Sequence, residues 1–309
     1  MAVLVTGVAG FLGSHLAERL LADGERVVGL DNFDPFYEPA RKLRHLEHAL
    51  SCRAFTLVRA DVRDPAGLAR LPDDIEAVVH LAARPGVRGS TRDPLGYLDV
   101  NVRGTVSVLE FARRRRVRAF VFASSSAVYG SRSRLPFRET DVGGAPRSPY
   151  GVTKRSGEIF CQTYRHLYEI PVAIVRLFSV YGPRVRPDLA FWRFALALAE
   201  GRPVPVYGDG RARRDFTYVD DAIDGFVAAL AYARAHPDAC ATVNVGRGEP
   251  VAVLDLVTAL AGALGVRPRI AWRPGDPADL PATWADLSTA RRVLGYVPRV
   301  SLAEGVDRF

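Results

Sequence analysis

Short apolar runs, each followed by a stretch of helical spacing, recur along the first 177 residues of the chain. The runs are rich in Val, Leu, Ile and Ala, and they predict buried strands at 3–5, 26–31, 55–62, 77–83, 119–123 and 172–177. Between them, apolar residues recur three or four positions apart, which predicts helices, the longest at 95–116 and 150–168. Strands alternating with helices are typical of an α/β fold with a doubly wound parallel sheet, helices covering both of its faces.

The pattern changes after residue 177, where loops rich in Pro, Gly and Arg separate shorter elements. We expect a helix at 191–201, extended segments at 203–207 and 215–219, a helix from 220 and a strand at 242–245. This organisation predicts a larger domain of residues 1–176 with about 218–247, and a smaller, irregular α/β lobe of residues 177–217 and 248–309. Since ligands of such folds bind at the carboxyl ends of the strands, the smaller lobe is predicted to hold the substrate at that edge.

A glycine-spaced turn follows the first predicted strand, and a helix pattern follows the turn. In such a unit Gly7 permits the tight turn, Gly10 lets the backbone approach a diphosphate, and Gly13 lets the helix pack closely on the strand. The free N–H groups at the start of the helix then face the phosphates. The spacing is G-x-x-G-x-x-G rather than G-x-G-x-x-G, so a glycine turn without a ligand stays open on this motif alone.

Asp31 ends the second predicted strand, about 20 residues after the glycines, where the ribose-binding acid of a dinucleotide-binding (Rossmann) domain lies. Its carboxylate would accept hydrogen bonds from the ribose hydroxyls and would repel a 2′-phosphate. Asn32 and Phe33 follow it, without an Arg immediately after. We therefore predict NAD rather than NADP as the cofactor.

Two further strand ends carry candidate cofactor contacts. Asp61 ends the third predicted strand and could accept a hydrogen bond from the adenine amino group, or could be the acid at the start of the next helix. The fourth strand ends in small residues that would let the cofactor lie against the backbone, namely Leu81, Ala82 and Ala83.

Composition limits the possible partners and the compartment. The 309 residues are 48% hydrophobic and 25% charged, as in an ordinary globular protein of one or two domains. The apolar runs are too short to span a bilayer and Met1 leads directly into the first strand, so we expect neither a membrane segment nor a signal peptide. Three cysteines without metal-ligand spacing fit the reducing cytoplasm, and we predict no metal site.

The net charge of +8 comes almost entirely from arginine, because Lys42 and Lys154 are the only lysines. Four arginines at 113–116 end a helix pattern, where cations offset the helix dipole, and no aromatic residues are interleaved with them. We therefore expect no nucleic-acid partner. The scarcity of lysine draws attention to Lys154, since an ammonium can change its pKa where a guanidinium cannot.

Tyr150 and Lys154 stand four residues apart in a predicted helix, which places the phenol and the ammonium on one face. An ammonium near a phenol favours the phenolate and lowers its pKa from about 10. Ser125, at a predicted strand end, could hydrogen-bond the same substrate oxygen. A pair with this spacing is also common on helix surfaces, but its occurrence together with the glycine turn, Asp31 and a serine cluster favours a catalytic site.

These motifs together resemble the extended short-chain dehydrogenase/reductases of the NAD-dependent nucleotide-sugar epimerase/dehydratase family, over essentially the whole chain. The matching segments are 6–13, 80–83, 124–130, 150–154, 213–221 and 273–276. The resemblance implies that Tyr150 is the base, that Lys154 tunes it and holds the nicotinamide ribose, and that Ser125 relays the proton. It also implies a homodimer formed through the helices at 95–116 and 150–168.

The resemblance implies two sets of binding residues. The expected cofactor contacts are Gly7, Gly10, Phe11, Leu12, Asp31, Asn32, Asp61, Val62, Leu81, Ala82, Ala83, Asn101, Tyr150 and Lys154. The expected contacts to a nucleotide-sugar substrate are Arg88, Ser125, Ser126, Ser179, Arg186, Arg214, Arg273 and Asp276. Among these, Arg214 and Arg273 would pair with the diphosphate, which suits the bidentate geometry of guanidinium groups, and Asp276 would bind the nucleoside ribose.

Ala127 distinguishes reactions within the family. Similar dehydratases carry Thr-Asp-Glu at the positions of Ser125-Ser126-Ala127, and similar UDP-glucuronate decarboxylases carry Thr-Ser-Glu. An alanine can neither donate nor accept a proton, so elimination and assisted decarboxylation both lose their acid. The reaction that remains is 4-epimerisation of a UDP-sugar through a transient 4-keto intermediate, with NAD regenerated in each cycle.

The segment 178–188 bears on the sugar. Family members that epimerise UDP-glucuronate to UDP-galacturonate are similar to this chain in having a small hydroxyl at Ser179 and Gly-Pro-Arg-x-Arg-Pro-Asp after it. We therefore expect Ser125, Ser126 and Ser179, with Arg88 or Arg186, to hold a C6 carboxylate. The alternatives are a UDP-glucose/UDP-galactose 4-epimerase, a UDP-glucuronate decarboxylase, and a catalytically silent NAD-sensing scaffold protein.

Overall fold

The computed structural model describes residues 1–130, 134–142, 144–275 and 280–309. Its strands are β1 (Ala2–Thr6), β2 (Arg26–Asp31), β3 (Phe55–Arg59), β4 (Ile75–His80), β5 (Ala119–Ser125), β6 (Val172–Leu177), β7 (Ser179–Tyr181), β8 (Val204–Tyr207), β9 (Arg213–Tyr218), β10 (Cys240–Val245), β11 (Pro250–Ala252) and β12 (Ile270–Arg273).

The helices lie between these strands and at the end of the chain. They are α1 (Phe11–Ala22), α2 (Pro39–His45), α3 (Glu47–Ser51), α4 (Pro65–Ala69), α5 (Val87–Arg92), α6 (Pro94–Leu98), α7 (Gly104–Arg114), α8 (Pro149–Tyr168), α9 (Ala190–Ala199), α10 (Val219–Ala235), α11 (Val253–Ala263), α12 (Ser288–Leu294) and α13 (Leu302–Arg308). Among the described residues, none of these helices combines the length and the apolar character that a membrane span requires.

Seven strands form one parallel sheet in the order β10-β6-β5-β4-β1-β2-β3. The prediction of a doubly wound α/β sheet is confirmed. The strand order reverses at β1, which pairs with β2 on one side and with β4 on the other. At such a switch point the loops after adjacent strands diverge and leave a crevice at the carboxyl edge.

The apolar runs become central strands because both faces of the sheet are covered. Every residue of β1 is buried, with Val3 and Val5 in the core on one face and Ala2 and Leu4 in the core on the other. Parallel strands buried on both sides need this continuous apolar composition. β3 lies at the sheet edge and is only partly buried.

The smaller lobe is irregular, as predicted. A three-stranded sheet in the order β11-β9-β7 and the parallel pair β12-β8 are formed by segments that lie before and after β10 in the chain. Val204, Leu256 and Val306 of this part join the same hydrophobic core as one face of the large sheet. The two parts therefore share one continuous core, and the domain boundaries given above stay a prediction.

The helix expected at 95–116 is interrupted. α6 and α7 are separated by a π-helical turn, Asp99–Arg103, in which each hydrogen bond joins residues five rather than four positions apart. Its buried Asn101 donates hydrogen bonds to Arg84 O and to Thr153 Oγ1, both at 3.0 Å, and accepts one from Arg84 N at 2.7 Å. The apolar periodicity did not indicate this turn, because it depends on contacts with residues distant in sequence.

Candidate active site

A single cleft of about 940 Å³ brings most of the predicted site residues together. It lies at the carboxyl ends of the sheet strands and extends to the smaller lobe. Its walls include Gly7, Gly10, Phe11, Leu12, Asp31, Asn32, Asp61, Val62, Leu81, Ala82, Ala83, Arg88, Ser125, Ser126, Tyr150, Lys154, Ser179, Arg186 and Arg214. Asn101 and Arg273 do not line it, and Asp276 lies outside the described residues.

The glycine turn is a cradle that only glycine fits. Gly7 has φ +71°, and a Cβ there would lie 2.9 Å from the backbone of Ala82. A Cβ at Gly13 would lie 2.1 Å from the carbonyl oxygen of Gly7. No side chain caps the start of α1, so its N–H groups are available to an anion. These features fit the diphosphate of a dinucleotide.

Asp31 is placed at the end of β2, next to this cradle. Its carboxylate accepts hydrogen bonds from the N–H groups of Ala9 at 3.0 Å and Phe33 at 2.8 Å. Burial raises the pKa of Asp31 above its ordinary value, although Lys42 and these two N–H groups oppose the shift. The carboxylate is thus held between the glycine turn and the third strand, where the ribose of a bound dinucleotide would lie.

We expect replacement of Asp31 by Asn to weaken NAD binding by roughly 10-fold or more, because a charged acceptor is lost. Discrimination against NADP should shrink as well, since the repulsion of a 2′-phosphate disappears. Titration calorimetry with both dinucleotides measures the two effects, and Asp23→Asn at the exposed end of α1 is the control. Unchanged NAD affinity would refute this role for Asp31.

The carboxylate of Asp61 already accepts hydrogen bonds from neighbouring residues. Its two oxygens accept from Arg63 through the backbone N–H and the guanidinium, and Asn32 Nδ2 donates to it at 2.8 Å. The Arg63 hydrogen bonds lower the pKa of Asp61 to about 2. The acid that caps the following helix is Asp64, whose carboxylate accepts from two N–H groups of α4.

The catalytic candidates converge where β5 and α8 meet. α8 begins after Ser148, whose side chain accepts from the N–H of Gly151, so Tyr150 lies in the first turn of the helix. Ser125, at the end of β5, lines the same cleft and lies near enough to Tyr150 to lower the pKa of the phenol. The Tyr150 ring also packs edge-on against Tyr97, with 6.3 Å between ring centroids.

The predicted lowering of the Tyr150 pKa by Lys154 is not found. Burial raises the pKa of Tyr150 above its ordinary value, and the Arg186 charge and the Ser125 hydrogen bond offset this only in part. Lys154 Nζ instead donates to the carbonyl oxygen of Ala123 at 2.7 Å, and burial lowers its pKa to about 8. Helical spacing placed the two groups on one face but did not determine the direction of the ammonium.

Two of the arginines predicted to bind the substrate already contact other side chains. Arg186 forms a bidentate pair with Asp188, with N–O distances of 3.0 and 3.1 Å. The Arg88 guanidinium lies 3.9 Å from the ring centroid of Tyr207, at the end of β8. Arg273 ends β12 in an exposed position and is the register partner of Tyr207.

Residues without an assigned role also line the cleft, among them Tyr97, Asp188, Arg193 and Tyr207. Asp188 belongs to the segment 178–188, and the charge alternation there could have indicated its pairing with Arg186. Arg193 and Tyr207 lie on α9 and β8 outside any motif, so the sequence offered no signal for them. A hydrogen bond from Arg193 lowers the pKa of Tyr207.

Asp215, the first acidic residue of the segment 213–221, has a structural explanation. The fully buried Asp215 accepts hydrogen bonds from the backbone N–H groups of Arg247, Gly248 and Ala285, at 2.7 to 3.0 Å. This carboxylate joins β9 to two neighbouring loops. It therefore fixes the strand from which the adjacent Arg214 reaches the cleft.

Comparisons with known proteins agree with this geometry. The NAD dependent epimerase/dehydratase family matches residues 3–246. A probable UDP-glucuronate 4-epimerase of Rhizobium meliloti is 38% identical over all of this chain and 96% of its own length. The UDP-glucuronate 4-epimerase of Thermodesulfobacterium geofontis is 37% identical over 99% of this chain and 94% of its own.

A solved structure shows the same similarity in three dimensions. The UDP-glucuronic acid 4-epimerase of Bacillus cereus, in complex with UDP-glucuronic acid and NAD, superposes with a TM-score of 0.94 at 39% identity. The match covers 100% of this chain and 97% of that one. The fold and the cleft define a dinucleotide-binding sugar-nucleotide enzyme, and the chain belongs to the NAD dependent epimerase/dehydratase family. The family prediction is confirmed.

Proposed function

We propose that this protein catalyses the NAD-dependent 4-epimerisation of UDP-glucuronate to UDP-galacturonate through a transient 4-keto intermediate. The observation that carries the proposal is the convergence, in one cleft, of the glycine cradle, Tyr150 with Ser125 near it, and an arginine-lined substrate end. Two relatives that match this chain over 94% and 96% of their own length bear the name of this activity.

Bound NAD supplies the hydride acceptor, which becomes the donor in the second half of the cycle. In the first half, the Tyr150 phenolate oxygen takes the proton of the C4 hydroxyl. Ser125 holds the same sugar oxygen and, through its hydrogen bond, counteracts the effect of burial on the Tyr150 pKa. After the keto-sugar has turned over, Tyr150 returns the proton as hydride reaches the opposite face.

Ala127 limits the chemistry to this exchange. It follows the two serines in the cleft wall and presents no group that could transfer a proton. Elimination of water and assisted loss of CO₂ both need such a group beside the 4-keto sugar. The cleft therefore favours return of hydride over either side reaction.

The third negative charge of UDP-glucuronate fits the polar end of the cleft. Ser126 and Ser179 line it with hydroxyl donors, and Arg186 lies close enough to influence the Tyr150 pKa. Arg186 already pairs with Asp188. A substrate carboxylate would therefore either replace Asp188 at the guanidinium or share it with Asp188 in a charge-assisted contact. The sugar of UDP-glucose carries no C6 carboxylate, so these side chains would have no anion to bind.

A substrate panel tests the proposal. We expect kcat/KM for UDP-glucuronate to exceed that for UDP-glucose by roughly 100-fold, since a matched carboxylate contact contributes about 2–3 kcal/mol. Proton NMR of the products should show UDP-galacturonate without CO₂ loss. Better turnover of UDP-glucose would refute the sugar assignment, a keto-pentose product would indicate a decarboxylase, and retained NAD without turnover of either sugar would indicate a sensing scaffold.

We also propose that the protein is a homodimer. α6 and α8 pack side by side, and they present exposed apolar side chains at Leu95, Leu98, Val152, Ile159, Phe160, Leu167 and Tyr168. A monomer would leave these side chains in water, whereas a second copy of the two helices would cover them. The family resemblance implies the same contact.

Light scattering after gel filtration checks this assembly. We expect twice the mass of one chain for the native protein and the mass of one chain for Ile159→Arg, because a buried charge at the contact is unpaired. Leu264→Arg, at an exposed position after α11, is the control and should stay dimeric. A native protein with the mass of one chain would refute the proposal.

The three free cysteines fit the cytoplasm as the location of the protein.

A further inference from the structure

A buried ion pair lies directly beneath the catalytic candidates. Glu158 stands one helical turn after Lys154 on α8, and its side chain is fully buried. Arg176 of β6, 1% exposed, donates to both carboxylate oxygens of Glu158 through Nε and Nη2, each at 2.8 Å. Burial opposes the charge, but Arg176 and the Ser124 hydroxyl hold the pKa of Glu158 below its ordinary value.

Stability alone does not explain such a pair. Removing two charges from water costs more than their attraction commonly returns, and well-packed apolar residues of similar volume often stabilise a fold as well or better. The pair therefore points to a requirement for defined geometry. Hydrogen-bond direction and length supply that geometry in a way that apolar packing does not.

The contacts of the pair reach each element that carries a catalytic candidate. Ser124 Oγ, next to Ser125 on β5, donates to Glu158 Oε1 at 2.5 Å. Arg176 Nη1 donates to the hydroxyl of Tyr129 at 3.1 Å. Tyr129 ends the short turn that begins at Ser126. One ion pair is thus bonded to the strand of Ser125, the turn of Ser126 and the helix of Tyr150.

The docking of α8 on β5 uses two consecutive strand residues. Lys154 Nζ donates to the carbonyl oxygen of Ala123, and one helical turn later Glu158 accepts from the side chain of Ser124. These two contacts together fix both the height and the rotation of the helix against the strand. Loss of the second contact would relax this placement and allow a small shift of Tyr150 relative to Ser125.

We propose that Glu158 and Arg176 are positioning residues for the reaction, which set the placement of Tyr150 and Lys154 relative to Ser125. The inference rests on the proposed function only in requiring that Tyr150 and Ser125 perform the proton transfer. It holds whichever UDP-sugar is the substrate. Displacement of a reacting group by about 1 Å can lower a rate by about 100-fold, so a small rotation of α8 suffices.

The double variant Glu158→Leu/Arg176→Met removes the pair while keeping apolar volume. We expect it to fold, to retain NAD and to keep KM within about threefold of the native value. Its kcat should fall by roughly 30-fold or more, measured on the UDP-sugar that the native protein turns over best. A folded double variant with kcat within threefold of the native value would overturn the proposal.

Two single variants give a matched comparison if the double variant does not fold. Ser124 and Arg155 both donate to the Glu158 carboxylate, but only Ser124 belongs to the strand, whereas Arg155 lies on α8 itself. We expect Ser124→Ala to lower kcat by roughly fivefold or more with KM and melting temperature little changed, and Arg155→Ala to leave kcat unchanged. Equal effects of the two variants would overturn the proposal.

A crystal structure of Ser124→Ala or of the double variant gives a check independent of turnover. We expect the distance from Lys154 Nζ to Ala123 O, 2.7 Å in the native structure, and the contact of Tyr150 with Ser125 to lengthen. Unchanged geometry at both places would overturn the positioning role. An inactive native protein with this geometric change in the variants would instead refute the proposed function while leaving the positioning role intact.

Discussion

Replacing Tyr150 with Phe is expected to lower kcat by roughly 1,000-fold or more, because the group that takes the C4 proton is lost while the ring remains. The ring packs against Tyr97 and α8 is otherwise unchanged, so folding should be preserved. NAD should stay bound, since the glycine cradle and Asp31 do not depend on the phenol. Steady-state kinetics with UDP-glucuronate, together with absorbance of NAD released on denaturation, measures both effects.

The control for this variant lies on the same helix. Tyr168, at the exposed C-terminal end of α8, loses the same hydroxyl in Tyr168→Phe and should retain full activity. Loss of activity in both variants would indicate a defect of the helix rather than of the chemistry. Undiminished turnover by Tyr150→Phe would remove the proposed base.

The second large effect is expected at Gly13. The Cβ of Gly13→Ala would lie 2.1 Å from Gly7 O and 2.7 Å from Val8 Cα, both backbone atoms that cannot turn away. Either the glycine turn or α1 must shift, at a cost of about 3 kcal/mol, the upper end for an overpacked site. We expect the free energy of unfolding to fall by this amount and the NAD affinity to fall by at least 10-fold.

Gly262 provides the matched control, because it lies in α11 and no atom outside its own stretch of helix comes within 4 Å of the position of its Cβ. Gly262→Ala should leave NAD binding unchanged and raise the stability slightly, since Ala favours a helix more than Gly does. Urea denaturation and calorimetric NAD titration compare the two variants. Native NAD affinity in Gly13→Ala would show that the turn does not cradle the cofactor.

The sequence by itself determined the main sheet and the position of its ligand-binding edge. Strands buried on both faces must be continuously apolar, so β1, β4 and β5 were visible as runs without any knowledge of their neighbours. The glycine turn was equally visible, because the positive φ of Gly7 and the close approach of Gly13 to the Gly7 carbonyl are local requirements. Placing the serine cluster at a strand end sufficed to bring Ser125 to the same edge as these glycines.

Only the tertiary structure decided where the charged groups point and what they are bonded to. The contact of Arg88 with Tyr207 and the direction of Lys154 both depend on which elements meet. Hydrophobic periodicity records which face of an element is buried, but it carries no information about partners distant in the chain. Burial, which sets the direction of the Tyr150 pKa, is likewise a property of the assembled fold and not of any segment.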